Sequence, residues 1–338
     1  MKLWVALLAF LAWAPRAGAL ELEVTAVELP GSPDFVGMDY LAVEAGAARV
    51  WVPAGNTGKV DLVGTQDLKV HPLDGFPVNT SGQRSVGPSS VTIGEGFVYV
   101  GNRANRQVCA VDAQALNRGA CVSLDSMPDG LAYIPSQKEV WVTTPRDKSL
   151  TILSVEHAGA PEAKTVLHLD GEPEGYAVDA AKGVFYTNLE DKDATLVFDA
   201  ASKKEVARYS PGCGEAGPRG LALDSGRGLL IVACTDKLVA LQLHKGGAKG
   251  GELKTGAGVD NIDYVPGLHQ VYAASGKSAT LTVAELSPSG ALKALATAKT
   301  AEGARVVVAD SAGTAFVADS GSGRVLVVKA KAKAKGKK

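Results

Sequence analysis

The sequence lacks the short motifs that mark the common catalytic centres. It contains no H-E-x-x-H zinc motif, no G-x-S-x-G nucleophile turn and no phosphate-binding P-loop. It also has no C-x-x-C-H motif for covalent haem attachment. Its five histidines are scattered along the chain, so we interpret them as surface residues rather than metal ligands. We therefore expect no cofactor, no bound metal and no catalytic residue, and binding is favoured over catalysis.

Long apolar runs are also scarce, and the longest lies at the N-terminus. Lys2 precedes an apolar run from Leu3 to Trp13, Pro15 follows, and Ala17-Gly18-Ala19 offers a small-residue cleavage site. This pattern predicts a secretory signal peptide over residues 1–19. The alternative is an uncleaved anchor, which is less favoured because the run is short for a bilayer. We expect no membrane span in the remaining chain and a periplasmic or secreted location.

Clusters of positive charge are absent from the body of the chain. The net charge is −1, yet the last ten residues carry six lysines, so the remainder is acidic. An acidic body is not typical of a nucleic-acid-binding fold. Residues 330–338 are low in complexity and are predicted to be disordered. Two interpretations of this tail stay open: a solubilising segment, or a weak electrostatic contact with an anionic surface.

Helical periodicity is scarce as well, and a short repeated pattern fills the chain instead. The clearest copies cover residues 127–144, 172–188 and 217–233, and fainter copies begin at Phe35, Gly87, Gly258 and Gly303. The anchor positions of the seven copies are Gly37, Ser90, Gly130, Gly175, Gly220, Asn261 and Val306. Their spacings are 53, 40, 45, 45, 41 and 45 residues, and self-similarity at this period is typical of repeat architectures.

Each repeat contains a turn, often Pro-x-Gly, followed by four short strands. In the fourth repeat the strands are GYAVD, VFYTN, ATLVFDA and EVARY. A lone sheet of this kind cannot bury both of its apolar faces, whereas sheets packed face to face around an axis can. The sequence therefore predicts an all-β fold, one seven-bladed β-propeller over residues 20–329 with four antiparallel strands in each blade.

The two ends of the chain are predicted to close the ring. The last repeat ends after its third strand, VLVVKA, whereas the segment LELEVTAVEL at residues 20–29 has no partner in its own repeat. This segment alternates apolar and acidic residues, which is typical of a half-buried strand. We predict that it forms the outer strand of the last blade. A frayed N-terminal arm is the alternative, and it fits the alternation less well.

The repeat resembles that of the YVTN-repeat propellers, a group that includes secreted bacterial YncE-like proteins. The motif P-x-G-hydrophobic-A is followed by a turn and a V-[WFY]-V-T-N-like strand. The stretch PEGYAVDAAKGVFYTNLEDKDATLVFDAASKKEVARY is especially similar, and so is the stretch from Cys213 to Cys234. The resemblance covers most of the chain after the signal peptide. It implies the fold and carries little information on activity, because propellers serve many functions.

Four cysteines in an exported chain predict two disulfides. Cys109 lies in the third strand of its repeat and Cys121 in the fourth, so the two are neighbours in one sheet. Cys213 precedes the first strand of a later repeat and Cys234 ends the second strand. Of the three possible pairings, the repeat geometry favours Cys109–Cys121 and Cys213–Cys234.

A candidate ligand site follows from the same geometry. In a propeller the turn that enters the first strand and the loop that leaves the second lie on one face, at the mouth of the central channel. The central residues of the entering turns are Val36, Ser89, Asp129, Glu174, Arg219, Asp260 and Arg305, and the exit loops add Asn102, Arg103, Asn188, Glu190 and Asp319. We predict ligand binding by Asp129, Glu174, Arg219, Asp260 and Arg305, with Asn102, Arg103 and Asn188 beside them.

Two alternatives to a ligand site stay open at this point. The first is a self-compensating ring of ion pairs around a water-filled channel. The second is a metal-dependent lactonase of the gluconolactonase type, with oxygen ligands from Asp129, Glu174, Asn188 and Asp260. Arg219 lies between two of these acids in the ring, which disfavours a divalent cation there.

The favoured interpretation is an exported, non-catalytic binding or scaffold propeller. A ring of both charge signs suits a polar or zwitterionic small ligand, or a loop of an exported protein partner. We expect the protein to be a monomer. The segment at residues 75–86 enters the second repeat from the candidate face, so it either covers the site or is a tolerated insertion.

Overall fold

The chain forms a ring of seven four-stranded antiparallel sheets, as the computed structural model shows. The structure describes residues 20–32, 34–157 and 159–331. The predicted signal peptide, residues 1–19, and residues 332–338 of the predicted tail lie outside the described residues. The first strands of successive blades contact one another around the ring, and the first strand of blade 1 also contacts that of blade 7. The predicted seven-bladed β-propeller is confirmed.

The blades follow one another along the chain, and their strands are numbered here in chain order. Blade 1 contains β2 to β5, at Ala42–Glu44, Arg49–Ala54, Lys59–Gly64 and Val70–Leu73. A separate hairpin follows, with β6 and β7 at Asn79–Ser81 and Arg84–Val86. Blade 2 contains β8 to β11, at Pro88–Gly94, Phe97–Asn102, Gln107–Asp112 and Arg118–Ser123. Blade 3 contains β12 to β15, at Leu131–Ile134, Glu139–Thr144, Ser149–His157 and Ala160–His168.

The remaining blades repeat this order. Blade 4 contains β16 to β19, at Pro173–Asp179, Val184–Leu189, Ala194–Asp199 and Lys204–Tyr209. Blade 5 contains β20 to β23, at Pro218–Asp224, Leu229–Cys234, Lys237–Gln242 and Ala248–Lys254. Blade 6 contains β24 to β27, at Val259–Val265, Gln270–Ser275, Thr280–Leu286 and Leu292–Lys299. Blade 7 contains β28 to β30, at Val307–Ala309, Ala315–Asp319 and Arg324–Ala330, together with β1 at Leu22–Glu28.

Short 3-10 turns are the helical segments among the described residues. They lie at Ala45–Ala47, Gly55–Thr57, Pro145–Asp147, Gly214–Ala216, Leu243–Lys245 and Ser320–Ser322. None of the described helices is long and apolar enough to cross a membrane.

The N-terminal strand closes the ring, as the sequence predicts. Strand β1 pairs antiparallel with β30, from Leu22 opposite Ala330 to Glu28 opposite Arg324. Val27 and Leu29 at its end are buried in the apolar core between blades 7 and 1. The ring therefore joins the two ends of the chain through backbone hydrogen bonds, and blade 7 has no unpaired edge on β30.

The hydrophobic core is divided among the interfaces between blades. Each of the seven buried clusters combines side chains from two neighbouring blades. In the interface of blades 3 and 4, for example, the ring of Trp141 lies 5.0 Å from that of Phe185. Each blade is therefore stabilised through both faces, which explains why the strands read as nearly continuous apolar runs.

The glycine of the repeated turn is required by close contact between first strands. A Cβ atom at Gly220 would lie 2.6 Å from the carbonyl oxygen of Asp260 in the next blade. At Gly175 a Cβ atom would collide with the carbonyl oxygen of Arg219, and at Gly130 it would lie 2.6 Å from the ring of Tyr176. The repeated glycine thus allows adjacent blades to meet at the channel wall.

Both predicted disulfides are present. Cys109 and Cys121 lie directly opposite each other on β10 and β11, with Cα atoms 4.0 Å apart. Cys213 joins Cys234 at a Cα distance of 5.2 Å, which ties the turn entering blade 5 to the end of its second strand. This second disulfide lies next to the turn that carries Arg219.

Candidate functional site

The channel mouth carries ion pairs that join side chains from different blades. Arg103, at the end of β9, donates from Nη2 to Asp39 Oδ2 at 2.9 Å and also forms an ion pair with Asp129. All three side chains are mostly buried. Since Arg103 lies in the loop after the second strand of blade 2 and Asp129 precedes the first strand of blade 3, this triad holds the neighbouring loops together at the channel.

Two further arginines lie on the opposite side of the mouth. Arg305 Nε is 3.0 Å from Asp260 Oδ2, which links blades 6 and 7. Arg219 forms an ion pair with Glu190, which links blades 4 and 5. The Arg305 side chain is nevertheless 58 % exposed, so this guanidinium can take a further partner from solvent.

Glu174 differs from the other acids of the ring because no basic side chain of the described residues lies within ion-pair distance of it. The hydroxyl of Tyr40 lies within hydrogen-bond distance of it, 3.5 Å from Glu174 Oε1 and also 3.5 Å from Asp129 Oδ2. The ring of Tyr40 stacks on that of Tyr176 at 5.5 Å. Blades 1 and 4 are not neighbours in the ring, so this stack crosses the channel.

Burial and crowding of carboxylates raise the pKa values of these acids. Desolvation raises the pKa of Asp129 to about 6, against the opposing effect of Arg103. Desolvation, with a contribution from the nearby Asp129, raises the pKa of Glu174 well above its usual value. Desolvation also raises the pKa of Asp260, although Arg305 opposes the shift. A concave site with several shifted titratable groups is a candidate for binding.

A groove of about 380 Å³ opens beside the ring, between the turns of blades 5, 6 and 7. We call it the mouth groove; it is lined by Arg219, Thr235, Gly258, Val259, Asp260, Gly276, Lys277, Glu302, Gly303 and Arg305. Lys277 makes no ion pair with any described residue. The backbone N–H groups of the three glycines in the groove donate to the carbonyl oxygens of Thr235, Gly258 and Gly276. The groove therefore offers mainly its charged side chains to a ligand.

The structure brings the predicted acids and arginines together but places the two predicted asparagines elsewhere. Asn188 is fully buried; its Nδ2 donates to the carbonyl oxygen of Arg219 at 2.6 Å, and its Oδ1 accepts from Thr195. Asn102 is also buried, and its Nδ2 donates to the carbonyl oxygen of Pro77 at 3.0 Å. Both amides therefore hold turns in place.

The structure corrects the predicted ring of channel-mouth residues at one position, in the first repeat. Val36 is completely buried in the core between blades 7 and 1, so it does not face the channel. Tyr40, rather than Gly37, pairs with Ser90 of the next blade, so the true anchor lies three residues later. Asp39 therefore takes the position predicted for Val36. An alignment on the charged residue that precedes most anchors would have found it.

Two other predicted loop positions have structural partners. Asp319 is buried and accepts from Arg324 Nε at 2.7 Å. Ser89 is buried beside the channel, and its hydroxyl has no partner among the described residues. Within the predicted segment at residues 75–86, the structure forms the small exposed hairpin β6–β7, which contacts the turn at Gly55–Thr57.

The described residues contain no group of three or more histidine, cysteine, aspartate or glutamate side chains placed to hold a metal ion. Of the four oxygen ligands considered for a lactonase, Asn188 directs its amide into the protein. Asp129 and Asp260 are each paired with an arginine.

Replacing Glu174 with glutamine is expected to stabilise the protein at neutral pH. The pKa of Glu174 is raised in the folded state, so the stabilisation linked to its proton is present in acid and is lost as the pH rises through that pKa. Glutamine keeps the shape and carries no charge. We expect Glu174→Gln to melt above the wild type at about pH 7.5 and the difference to vanish towards about pH 4.

The matched control is Glu205→Gln, since Glu205 is an exposed outer-strand residue that pairs with Arg208. It should not show the gain at neutral pH. Melting of Glu174→Gln at or below the wild-type temperature at neutral pH would show that the charge of Glu174 is compensated in the folded protein.

The comparisons with known proteins agree with the architecture. No protein-family model and no curated protein matches the sequence significantly. Among solved structures, virginiamycin B lyase from Staphylococcus aureus is similar, with a TM-score of 0.72 and 13% identity over 92% of this chain and 100% of that one. The hydrazine synthase of Kuenenia stuttgartiensis has a TM-score of 0.73 and 14% identity over 90% of this chain and 99% of that one.

The WD40 repeats of RRP9 are similar to the same degree, with a TM-score of 0.73 and 11% identity over 92% of this chain and 100% of that one. These proteins differ in the activities that their names describe, and their sequence identity to this chain is low. These similarities therefore establish the seven-bladed β-propeller fold. The function has to be inferred from the residues of the site.

Proposed function

We propose that this chain is an exported, non-catalytic binding propeller of the YVTN-repeat type. It captures a polar, zwitterionic ligand, or a loop of an exported protein partner, at the channel mouth. The observation that carries the proposal is the mouth groove of about 380 Å³, where the half-exposed Arg305 lies beside Arg219 and Lys277. A binding site needs charged groups with unused hydrogen-bonding capacity, and these side chains have it.

The arrangement of charged side chains supports a ligand that carries both a positive and a negative group. The mouth groove carries three cationic side chains, whereas the channel beside it carries the unpaired carboxylate of Glu174. An anionic group bound to Arg305 and Lys277 would therefore place a cationic group of the same ligand towards Glu174. The two disulfides support the exported location, because disulfides persist in oxidising compartments.

The test is affinity capture from an envelope extract with the double variant Arg219→Ala/Arg305→Ala. We expect this variant to capture at least about tenfold less ligand or partner than the wild type, because it lacks two of the three cationic side chains of the groove. The fold should survive, since both guanidinium groups reach solvent. Its thermal unfolding is measured alongside to confirm this.

The matched control is Arg118→Ala/Arg208→Ala, which removes two exposed arginines from the outermost strands of blades 2 and 4. Capture by this control should equal that of the wild type. Equal capture by the mouth variant and the wild type would place the binding surface elsewhere on the propeller. Calcium-dependent lactone hydrolysis by the purified protein would contradict the non-catalytic assignment.

A further inference from the structure

A second cavity lies in the channel itself. It has a volume of about 330 Å³ and is lined mainly by residues of the first strands of blades 1, 4, 5, 6 and 7. We call it the inner chamber and define it by Tyr40, Tyr176, Leu221, Asn261, Asp263 and Val307. Its volume is at the lower end of the usual range for small-molecule sites, roughly 300–1,000 Å³.

The inner chamber is distinct from the mouth groove. Tyr176 follows Glu174 by two positions on β16, and Asp263 follows Asp260 by three positions on β24. Asn261 follows Asp260 directly, so at about 3.3 Å per strand residue the chamber extends from roughly 3 Å to roughly 10 Å below the ring of charges. The two cavities have no lining residue in common.

Aromatic side chains form one wall of the inner chamber. The rings of Tyr40 and Tyr176 are stacked at 5.5 Å with an interplanar angle of 22°, and both line the cavity. Aliphatic side chains such as Leu221 and Val307 complete much of the wall. The faces of aromatic rings attract cations, and pockets of this kind bind organic ammonium groups.

Carboxylates outnumber basic groups around the chamber. The acids facing the channel are Asp39, Asp129, Glu174, Asp260 and Asp263. The basic groups facing it are Arg103 and Arg305, while Arg219 is paired with Glu190. Asp263 accepts hydrogen bonds from the backbone N–H groups of Tyr264 and Ala309 and has no basic partner among the described residues. The chamber is therefore complementary to a positive charge.

A buried donor on the chamber wall has no partner. Asn261 is only 9% exposed, and its Nδ2 makes no hydrogen bond to any described residue. Asn261 lines the inner chamber and follows Asp260 directly. Buried donors are nearly always paired in native proteins, so an acceptor atom of a bound molecule is the natural partner of this amide.

We propose that the inner chamber binds a small organic cation that carries an uncharged hydrogen-bond acceptor, as an amino alcohol does. The ammonium group lies beside the stacked rings of Tyr40 and Tyr176 and close to Glu174. The hydroxyl or carbonyl oxygen of the ligand accepts from Asn261 Nδ2. A bare metal ion fits this cavity poorly, because Asp263 is the one carboxylate among the residues that line it and both of its oxygens accept backbone hydrogen bonds.

The experiment is calorimetric titration of the purified protein with choline and with its uncharged isostere, in which a carbon atom replaces the ammonium nitrogen. The two probes have the same shape and hydroxyl group. We expect choline to bind at least about tenfold more tightly than the isostere at about pH 8. Equal binding of the two probes, or no binding of choline, would overturn the proposal.

Two variants locate the bound cation. Glu174→Gln and Asn261→Leu should each weaken choline binding by about tenfold. The mouth variant Arg219→Ala/Arg305→Ala should bind choline at least as tightly as the wild type, because it removes positive charge. Loss of choline binding in the mouth variant, with Glu174→Gln unaffected, would contradict the inner chamber as the site and leave the proposed capture at the mouth intact.

The pH dependence of choline binding gives a readout that needs no variant. Burial raises the pKa values of Asp129 and Asp263 to about 6, and it raises the pKa of Glu174 well above its usual value. Ionisation of these acids should therefore strengthen choline binding between about pH 5 and about pH 8, while Arg103 and Arg305 stay charged. The affinity of the uncharged isostere should stay constant. A flat pH profile for choline would overturn the charge-based part of the proposal.

Discussion

Deletion of residues 20–29 is expected to destabilise the whole propeller by about 3–6 kcal/mol. The deletion removes the burial of Val27 and Leu29, each of which contributes about 1.5–3 kcal/mol. It also leaves β30 with an unpaired edge, because β1 is its outer partner in blade 7. Unfolding in urea measures the loss, and the midpoint should fall without a second transition, because the blades form one closed ring.

A pair of point variants distinguishes the loss of ring closure from the effect of a shorter chain. Val27→Ala removes a side chain that is 8% exposed, whereas Val24→Ala removes one on the same strand that is 41% exposed. We expect the first variant to lose about 1–2 kcal/mol and the second to match the wild type. Wild-type stability of the deletion protein would show that the ring does not depend on β1.

Gly220→Ala is expected to lower the free energy of unfolding by about 1–3 kcal/mol. The added Cβ atom would lie 2.6 Å from the carbonyl oxygen of Asp260 and 2.8 Å from the Cα atom of Asn261. Blade 6 must move outwards to accommodate it, which also shifts the ion pair between Asp260 and Arg305. The variant should therefore lose both stability, measured by urea unfolding, and capture at the channel mouth.

The control is Gly267→Ala, since a Cβ atom at Gly267 meets no atom within 4 Å. This substitution lies in the turn between the first two strands of blade 6, β24 and β25, and should leave stability and capture unchanged. An equal effect of the two substitutions would mean that the glycine of the repeated turn is not required by the approach of neighbouring blades.

The architecture was predictable because it depends on a feature that recurs along the chain. Every repeat must supply apolar residues to both faces of its sheet, and the repeated turn often carries a glycine where blades touch. The closing strand was predictable by subtraction, since the last repeat lacks one strand and the N-terminal segment has no partner of its own. The cysteine pairs followed from their positions within a repeat, and the structure contains both.

The details of the channel were less predictable, because they depend on side-chain direction. The first repeat has Gly37 where the pattern expects an anchor, yet Tyr40 makes the pairing with Ser90. Asp39 and Tyr40 were missed for this reason. The sequence also could not show that Asn188 turns inwards to hold the backbone of Arg219, since a polar residue at a strand end suits a loop and a ligand site equally.

The pairing of charged side chains at the channel mouth also could not be predicted from the sequence. The sequence predicts acids and arginines around one ring, and three of the arginines do form ion pairs there. The lack of a basic partner for Glu174 depends on which neighbour each guanidinium selects. Arg219 is adjacent to Glu174 in the predicted ring, but it forms an ion pair with Glu190. That choice leaves one partly buried carboxylate without a basic partner and gives the channel its negative character.

Hydrogen–deuterium exchange tests the central claim, capture at the channel mouth, most directly. The wild-type protein is compared alone and with the fraction of envelope extract that it captures. We predict slower exchange in the turns of the mouth groove, at residues 256–260, 275–278 and 301–305, and unchanged exchange in the outermost strands β11 and β19. Protection of the outermost strands with no change in those three turns would contradict a binding site at the mouth.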